Sequence, residues 1–134
     1  MSPTPTSGLR AEVLLLGSRL GTTRRFPPML HVGTPGGAAV DIDPLGDFDL
    51  GLRIDVVGAA LDLIDEPHPC VWITRCGPTH LTDLDQLWCP AATTALTARG
   101  FAPAFYAVTR TSWTCAFSGR TRVWSRPPQR RSRA

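Results

Sequence analysis

The chain has 134 residues, which is enough for one hydrophobic core and too few for two ordinary domains. All 14 basic residues are Arg, which excludes chemistries that require Lys, such as the Walker-type phosphate loop, Schiff-base catalysis, protein kinases and Ser-Lys hydrolases. Residues 1–85 carry 6 Arg against 11 acidic residues and residues 86–134 carry 8 Arg and no acid, an asymmetry that predicts an anionic partner for the C-terminal half.

The N-terminal half predicts a helix, a hairpin and a second helix. Residues 1–8 are rich in Pro, Ser and Thr and predict a disordered tail. Apolar residues at helical spacing predict an amphipathic helix over residues 9–20. The apolar runs 29–32 and 38–42 flank a Gly-rich segment, which is typical of a β-hairpin. Residues 50–66 predict a buried helix that ends before a proline.

The middle of the chain predicts a β-α-β unit. The continuous apolar run Cys70–Thr74 is typical of a buried central strand, and Ala104–Val108 predicts the next strand. A helix between them begins at a capping box formed by Asp83 and Gln86, and we expect Pro90 to kink or split it. Two strands joined in this way should be parallel, with a right-handed crossover.

The C-terminal part predicts a second hairpin. Residues 112–117 and 120–125 form its strands around a two-residue Ser-Gly turn, and residues 127–134 predict a disordered basic tail. We therefore expect an α/β fold (mixed α+β) with one small domain over residues 9–126. An N-terminal helix and β-hairpin precede elements in α-β-α-β-β-β order, which form a mixed sheet with helices packed on it.

Neither a secretory signal nor a membrane-spanning run is apparent, because the early apolar run at residues 13–16 is too short for either. We therefore expect a cytoplasmic protein that has no membrane partner and whose four Cys form no disulfide. Five Cys and His residues lie between residues 68 and 89, but they lack the spacing of a zinc site. No metal and no cofactor is predicted.

Arg75 and Arg110 follow the two predicted parallel strands, in matching Ile-Thr-Arg and Val-Thr-Arg sequences. If the strands are neighbours, both guanidinium groups lie at their carboxyl ends, where open α/β sheets bind ligands. Two convergent guanidinium groups would hold a phosphate or a carboxylate. The alternative is that each Arg forms an ion pair with an acid at the sheet edge, such as Asp83 or Asp85.

Aromatic residues and Arg alternate on one face of the predicted C-terminal hairpin. The two-residue turn places Trp113 opposite Trp124, with Arg120 and Arg122 on the same face and Arg126 directly after it. Aromatic rings stack on bases and Arg binds phosphates, so this pattern predicts an interface for nucleic acid or another polyanion. Two alternatives are that the rings cover the core with the Arg stems along its rim, and that a GC-rich genome explains the excess of Arg.

Three functions remain open. We favour a non-enzymatic binding domain for nucleic acid or another polyanion, in which the Arg/Trp-rich hairpin supplies the site. The first alternative is a metal-dependent hydrolase or nuclease that uses Asp41 and Asp43, or Asp83 and Asp85. The second is a protein-interaction module whose Trp-rich hairpin edge docks on a partner or on another copy of the chain.

Several short motifs fall in a fixed order in the second half of the chain. They are Val-Trp-Ile-Thr-Arg at 71–75, Asp-Leu-Asp at 83–85, Trp88, Val-Thr-Arg at 108–110, Trp113, Ser-Gly at 118–119 and Arg-Val-Trp at 122–124. Over residues 71–126 this pattern resembles an uncharacterised family of small actinobacterial proteins. The resemblance implies an intracellular bacterial origin and brings no established activity.

Overall fold

The computed structural model of the protein describes residues 5–20 and 25–125. Within these ranges the chain forms three helices and six strands. Their types and their order along the chain confirm the predicted mixed α+β fold. The elements are α1 (Thr6–Leu20), β1 (Met29–Gly33), β2 (Ala39–Ile42), α2 (Leu50–Asp62), β3 (Cys70–Thr74), α3 (Asp83–Ala98), β4 (Phe105–Val108), β5 (Ser112–Cys115) and β6 (Thr121–Val123). None of the described helices is long and apolar enough to cross a membrane.

All six strands belong to one mixed sheet in the order β2-β1-β3-β4-β5-β6. β3 and β4 are parallel, with Val71 opposite Phe105, which confirms the predicted β-α-β unit. Every other neighbouring pair is antiparallel. β3 and β4 therefore lie at the centre of the sheet, and each of their residues is buried because helices cover both faces.

The helices divide into two layers, since α2 and α3 pack on one face of the sheet and α1 packs on the other. Alternate residues of each strand point to opposite faces, so each layer has its own core. The α2/α3 core includes Leu30, Val71, Ile73, Phe105, Val57, Trp88 and Leu96. The α1 core includes Leu9, Val13, Trp72, Tyr106, Val108 and Trp113. Each large side chain that is fully buried contributes about 1.5–3 kcal/mol relative to an exposed one.

Two helix ends differ from the prediction. α1 begins at Thr6 rather than at residue 9. At Gly8 the helix packs so closely on the loop between β1 and β2 that a Cβ would collide with the carbonyl oxygen of Pro35. α2 ends at Asp62 rather than at residue 66. The Leu63 N–H bonds to the carbonyl three residues earlier, at 3.1 Å, so the helix closes in a tighter final turn before the proline.

The start of α3 is also one residue earlier than predicted, and the helix is not split. Thr82 is the N-cap and forms the capping box with Asp85, in place of the predicted pair Asp83 and Gln86. The helix continues through Pro90. Both Pro90 and Gln86 are exposed, so water can hydrate the carbonyl that loses its N–H partner to the proline.

The predicted two-residue turn between β5 and β6 is wrong. Trp113 lies opposite Arg122, and the Cys115 N–H donates to the Arg120 carbonyl at 2.8 Å, so residues 116–119 form a four-residue loop. Gly119, with φ of 73°, closes this loop in the left-handed conformation that glycine adopts without strain. A register shift of two residues leaves each side chain on its predicted face.

Candidate functional site

Arg75 is buried and all its side-chain donors bond to other groups of the protein, which contradicts the ligand-binding role predicted from the sequence. Its Nε and Nη2 donate to the Asp85 carboxylate at 2.9 and 2.7 Å. Its Nη1 donates to the carbonyls of Cys76 and Pro78 at 3.1 and 2.7 Å, and Nη2 donates to that of His80 at 2.9 Å. These bonds use all five guanidinium N–H groups, and they fasten the loop after β3 to the first turn of α3.

The clamp predicted from Arg75 and Arg110 therefore does not form. The two strands are neighbours as expected, and the backbone N–H of Arg75 donates to the Val108 carbonyl at 3.0 Å. The Arg75 side chain nevertheless points into the ion pair with Asp85, as the alternative proposed. Arg110 lies half-buried between β4 and β5, and its role in binding stays a prediction. Arg126 lies outside the described residues.

Three arginines meet in a cleft between the first turns of α1 and the β5–β6 hairpin. We call this space the arginine cleft. Its volume is about 470 Å³, and its lining residues include Thr6, Ser7, Arg10, Trp113, Arg120, Arg122 and Trp124. The three arginine side chains are exposed, and no acidic residue of the described chain lines the space. The cleft is therefore positively charged and open to solvent.

The two hairpin tryptophans differ in their surroundings. Trp113 is only 4% exposed and packs edge-on against Tyr106, with the ring centroids 6.4 Å apart, so it belongs to the core beneath α1. Trp124 is half-buried, and the guanidinium carbon of Arg122 lies 5.2 Å from the centroid of its ring. This cation–π contact orients Arg122 at the cleft. Trp124 is consequently the hairpin ring that a ligand would contact.

The amino end of α1 adds to the positive charge of the arginine cleft. Thr6 and Ser7 line the cleft, and the first turn of the helix contains no acidic side chain. As at any helix start, the first N–H groups have no intrahelical acceptor and carry the positive end of the helix dipole. Sequence reasoning missed Arg10, because only the packing of α1 against the sheet brings it to the hairpin.

Three of the acidic residues proposed as metal ligands form hydrogen bonds within the protein. Asp41 Oδ1 lies 2.7 Å from Nδ1 of His31, while Asp43 accepts a hydrogen bond from the Leu45 N–H at 3.0 Å. The Asp85 carboxylate forms an ion pair with the buried Arg75. Among residues 5–20 and 25–125 there is no group of three or more His, Cys, Asp or Glu side chains that could hold a metal ion.

Hydrogen bonds join His31 to two side chains on neighbouring strands, and sequence patterns did not indicate them because His31 lies inside an apolar run. Nε2 of His31 is 2.9 Å from the Thr74 hydroxyl, and Nδ1 faces Asp41. The imidazole also stacks on Trp72, with centroids 5.3 Å apart. Hydroxyl, imidazole and carboxylate occur in this order in hydrolase triads. Here both Thr74 and His31 are buried, and the contacts tie β2 and β3 to β1.

β6 forms one edge of the sheet, and all three of its residues are exposed. An exposed edge strand has unpaired backbone groups and is a common place for another chain to pair. The sequence-based hypothesis of a protein partner or of self-association concerned this hairpin edge, and it stays a prediction.

Comparisons with models of known protein families, with curated proteins and with solved structures find no match to this chain. The resemblance to the actinobacterial family therefore stays a prediction. The chemistry of the arginine cleft is therefore the main indication of function.

Proposed function

We propose that the protein is a non-enzymatic binding domain that holds nucleic acid or another polyanion in the arginine cleft. The observation that carries the proposal is that Arg10 from α1 lines one space together with Arg120 and Arg122 from the hairpin. Structural arginines usually face carboxylates, as Arg75 faces Asp85. No acidic residue of the described ranges lines the space around the cleft arginines, so an anionic ligand would supply the missing charge.

The geometry of the cleft suits phosphate groups. Guanidinium groups are planar and donate two parallel hydrogen bonds to a phosphate. The three side chains are exposed in the free protein, so a ligand can reach them without a rearrangement of the fold. Trp124 lies beside Arg122 and offers a ring on which a base can stack. A nucleic acid could therefore make both contacts, because its phosphates can bind the arginines and a base can stack on the ring.

The proposal is tested by fluorescence anisotropy at low salt with a labelled oligonucleotide and with labelled heparin. The double variant Arg10→Ala/Arg122→Ala removes two cleft charges, and the control Arg19→Ala/Arg99→Ala removes two exposed charges elsewhere. Each lost charged hydrogen bond costs about 1.5–3 kcal/mol, so the loss of two should weaken binding by at least about 100-fold.

The control variant has the same net charge as the cleft variant, so it separates a local site from general attraction. We expect its affinity to stay within a few-fold of the wild-type value. Equal losses in both variants would show that the arginine cleft is not the site. Absence of binding by the wild-type protein to either polyanion at low salt would reject the proposed function.

A further inference from the structure

A second cavity lies next to the arginine cleft. Its volume is about 500 Å³, within the range of roughly 300–1,000 Å³ that small-molecule sites occupy. The two linings adjoin along the chain at two places. Pro5 lines the cavity and Thr6 lines the cleft, and in the hairpin loop Ser118 lines the cavity and Arg120 lines the cleft. Consecutive Cα atoms are about 3.8 Å apart, so the linings of the two spaces come within a few ångström of each other at the start of α1.

The lining of this cavity is mostly apolar and rich in rings. Phe101, Tyr106 and Phe117 contribute aromatic rings, and several prolines and two thiols complete much of the wall. Burial raises the pKa of the Cys70 thiol to about 11 and also raises the pKa of Tyr106, so both groups stay neutral at physiological pH. The cavity is therefore suited to an uncharged, flat and largely apolar group.

The charges of the two spaces are opposite. No arginine of the described chain lines the cavity, and its one carboxylate belongs to Glu66. The Thr34 hydroxyl donates to Glu66 Oε2 at 2.7 Å and the His68 N–H donates to Oε1 at 3.4 Å. These bonds hold the pKa of Glu66 below its ordinary value, so the group is ionised and accepts further hydrogen bonds.

We infer that the polyanion is a single-stranded nucleic acid, one base of which enters this cavity while its phosphates lie in the arginine cleft. This inference rests on the proposed function and names the class of ligand. A nucleotide joins an anionic group to a flat ring whose edge carries N–H donors, and Glu66 is an acceptor for such donors. Heparin, polyphosphate and acidic peptides have no such ring, and a duplex keeps its bases stacked inside.

The test compares three labelled probes of equal length by anisotropy at low salt: an oligo(dT) strand, an abasic strand with the same phosphates, and a duplex. The oligo(dT) strand should bind at least about tenfold more tightly than the abasic strand, because stacking of one base contributes a factor of that order. Equal affinity for both strands would overturn the inference and leave the proposed function intact. Tighter binding of the duplex would also overturn it.

Two variants, Ala102→Trp and Glu66→Gln, test whether the base enters the cavity. Ala102→Trp fills the cavity from an exposed position, and its control Ala59→Trp places the same side chain on the exposed surface of α2. Ala102→Trp should reduce the affinity for oligo(dT) to that for the abasic strand and leave abasic binding unchanged. Glu66→Gln should weaken only oligo(dT) binding. If oligo(dT) binds both variants as tightly as it binds the Ala59→Trp control, the base does not enter this cavity.

Discussion

Removal of the Arg75 side chain should destabilise the protein more than removal of an exposed arginine. The side chains of Arg75 and Asp85 are 4% and 0% exposed, and their closest atoms are 2.7 Å apart. Arg75→Ala would leave the Asp85 carboxylate buried without its countercharge. Breaking a buried ion pair in this way costs about 3–5 kcal/mol, which is a large part of the roughly 5–15 kcal/mol that stabilises an ordinary domain.

Urea unfolding followed by tryptophan fluorescence measures this loss, because Trp72 and Trp88 are buried. With a denaturant slope of about 2 kcal/mol/M, the unfolding midpoint should fall by about 2 M. The matched control is Arg99→Ala, whose ion pair with Asp62 is exposed, and we expect a midpoint close to that of the wild-type protein.

The double variant Arg75→Ala/Asp85→Ala separates the buried charge from the lost hydrogen bonds. It removes both charges, so it should be more stable than Arg75→Ala alone. Equal midpoints for Arg75→Ala and Arg99→Ala would refute the argument from burial. A double variant that is less stable than Arg75→Ala would refute the argument that an unpaired Asp85 is the main cost.

Two further predictions concern the ends of the central elements. Thr82→Ala removes the N-cap of α3 and should lower the free energy of unfolding by about 1 kcal/mol. Thr82→Ser keeps the hydroxyl and should have a free energy of unfolding near that of the wild-type protein. Equal losses for the two variants in urea unfolding would show that the Thr82 hydroxyl does not stabilise the start of α3. The free energy of unfolding should also fall as the pH rises from about 9 to about 11, because the Cys70 thiol ionises in the unfolded chain while burial keeps it protonated in the native one. Cys70→Ala should show a smaller decline across this pH range, and an unchanged decline would contradict the assignment.

Much of the fold was predictable from local patterns. The bounds of β3 are as predicted, because a strand covered on both faces appears in sequence as a continuous apolar run. The hairpin register was not predictable from the Ser-Gly pair alone. A glycine in the left-handed conformation suits a two-residue turn and also the end of a four-residue loop, and Gly119 occupies the latter position.

The site was less predictable because it depends on packing between distant segments. The hairpin arginines Arg120 and Arg122 were identified from sequence, but Arg10 reaches them only after α1 packs across the sheet. Sequence patterns also left two roles open for Arg75. Burial decided between them, since a guanidinium enclosed with a carboxylate and three carbonyl groups has no donor left for a ligand.

The salt dependence of oligonucleotide binding tests the central claim most directly. For a single strand, the slope of log affinity against log salt is about −0.7 per phosphate contact, so three cleft arginines predict a slope of about −2. Arg10→Ala/Arg122→Ala should reduce its magnitude by about 1.4, and Arg19→Ala/Arg99→Ala should leave it unchanged. A slope that is unchanged in the cleft variant, or equally reduced in the control, would contradict binding at the arginine cleft.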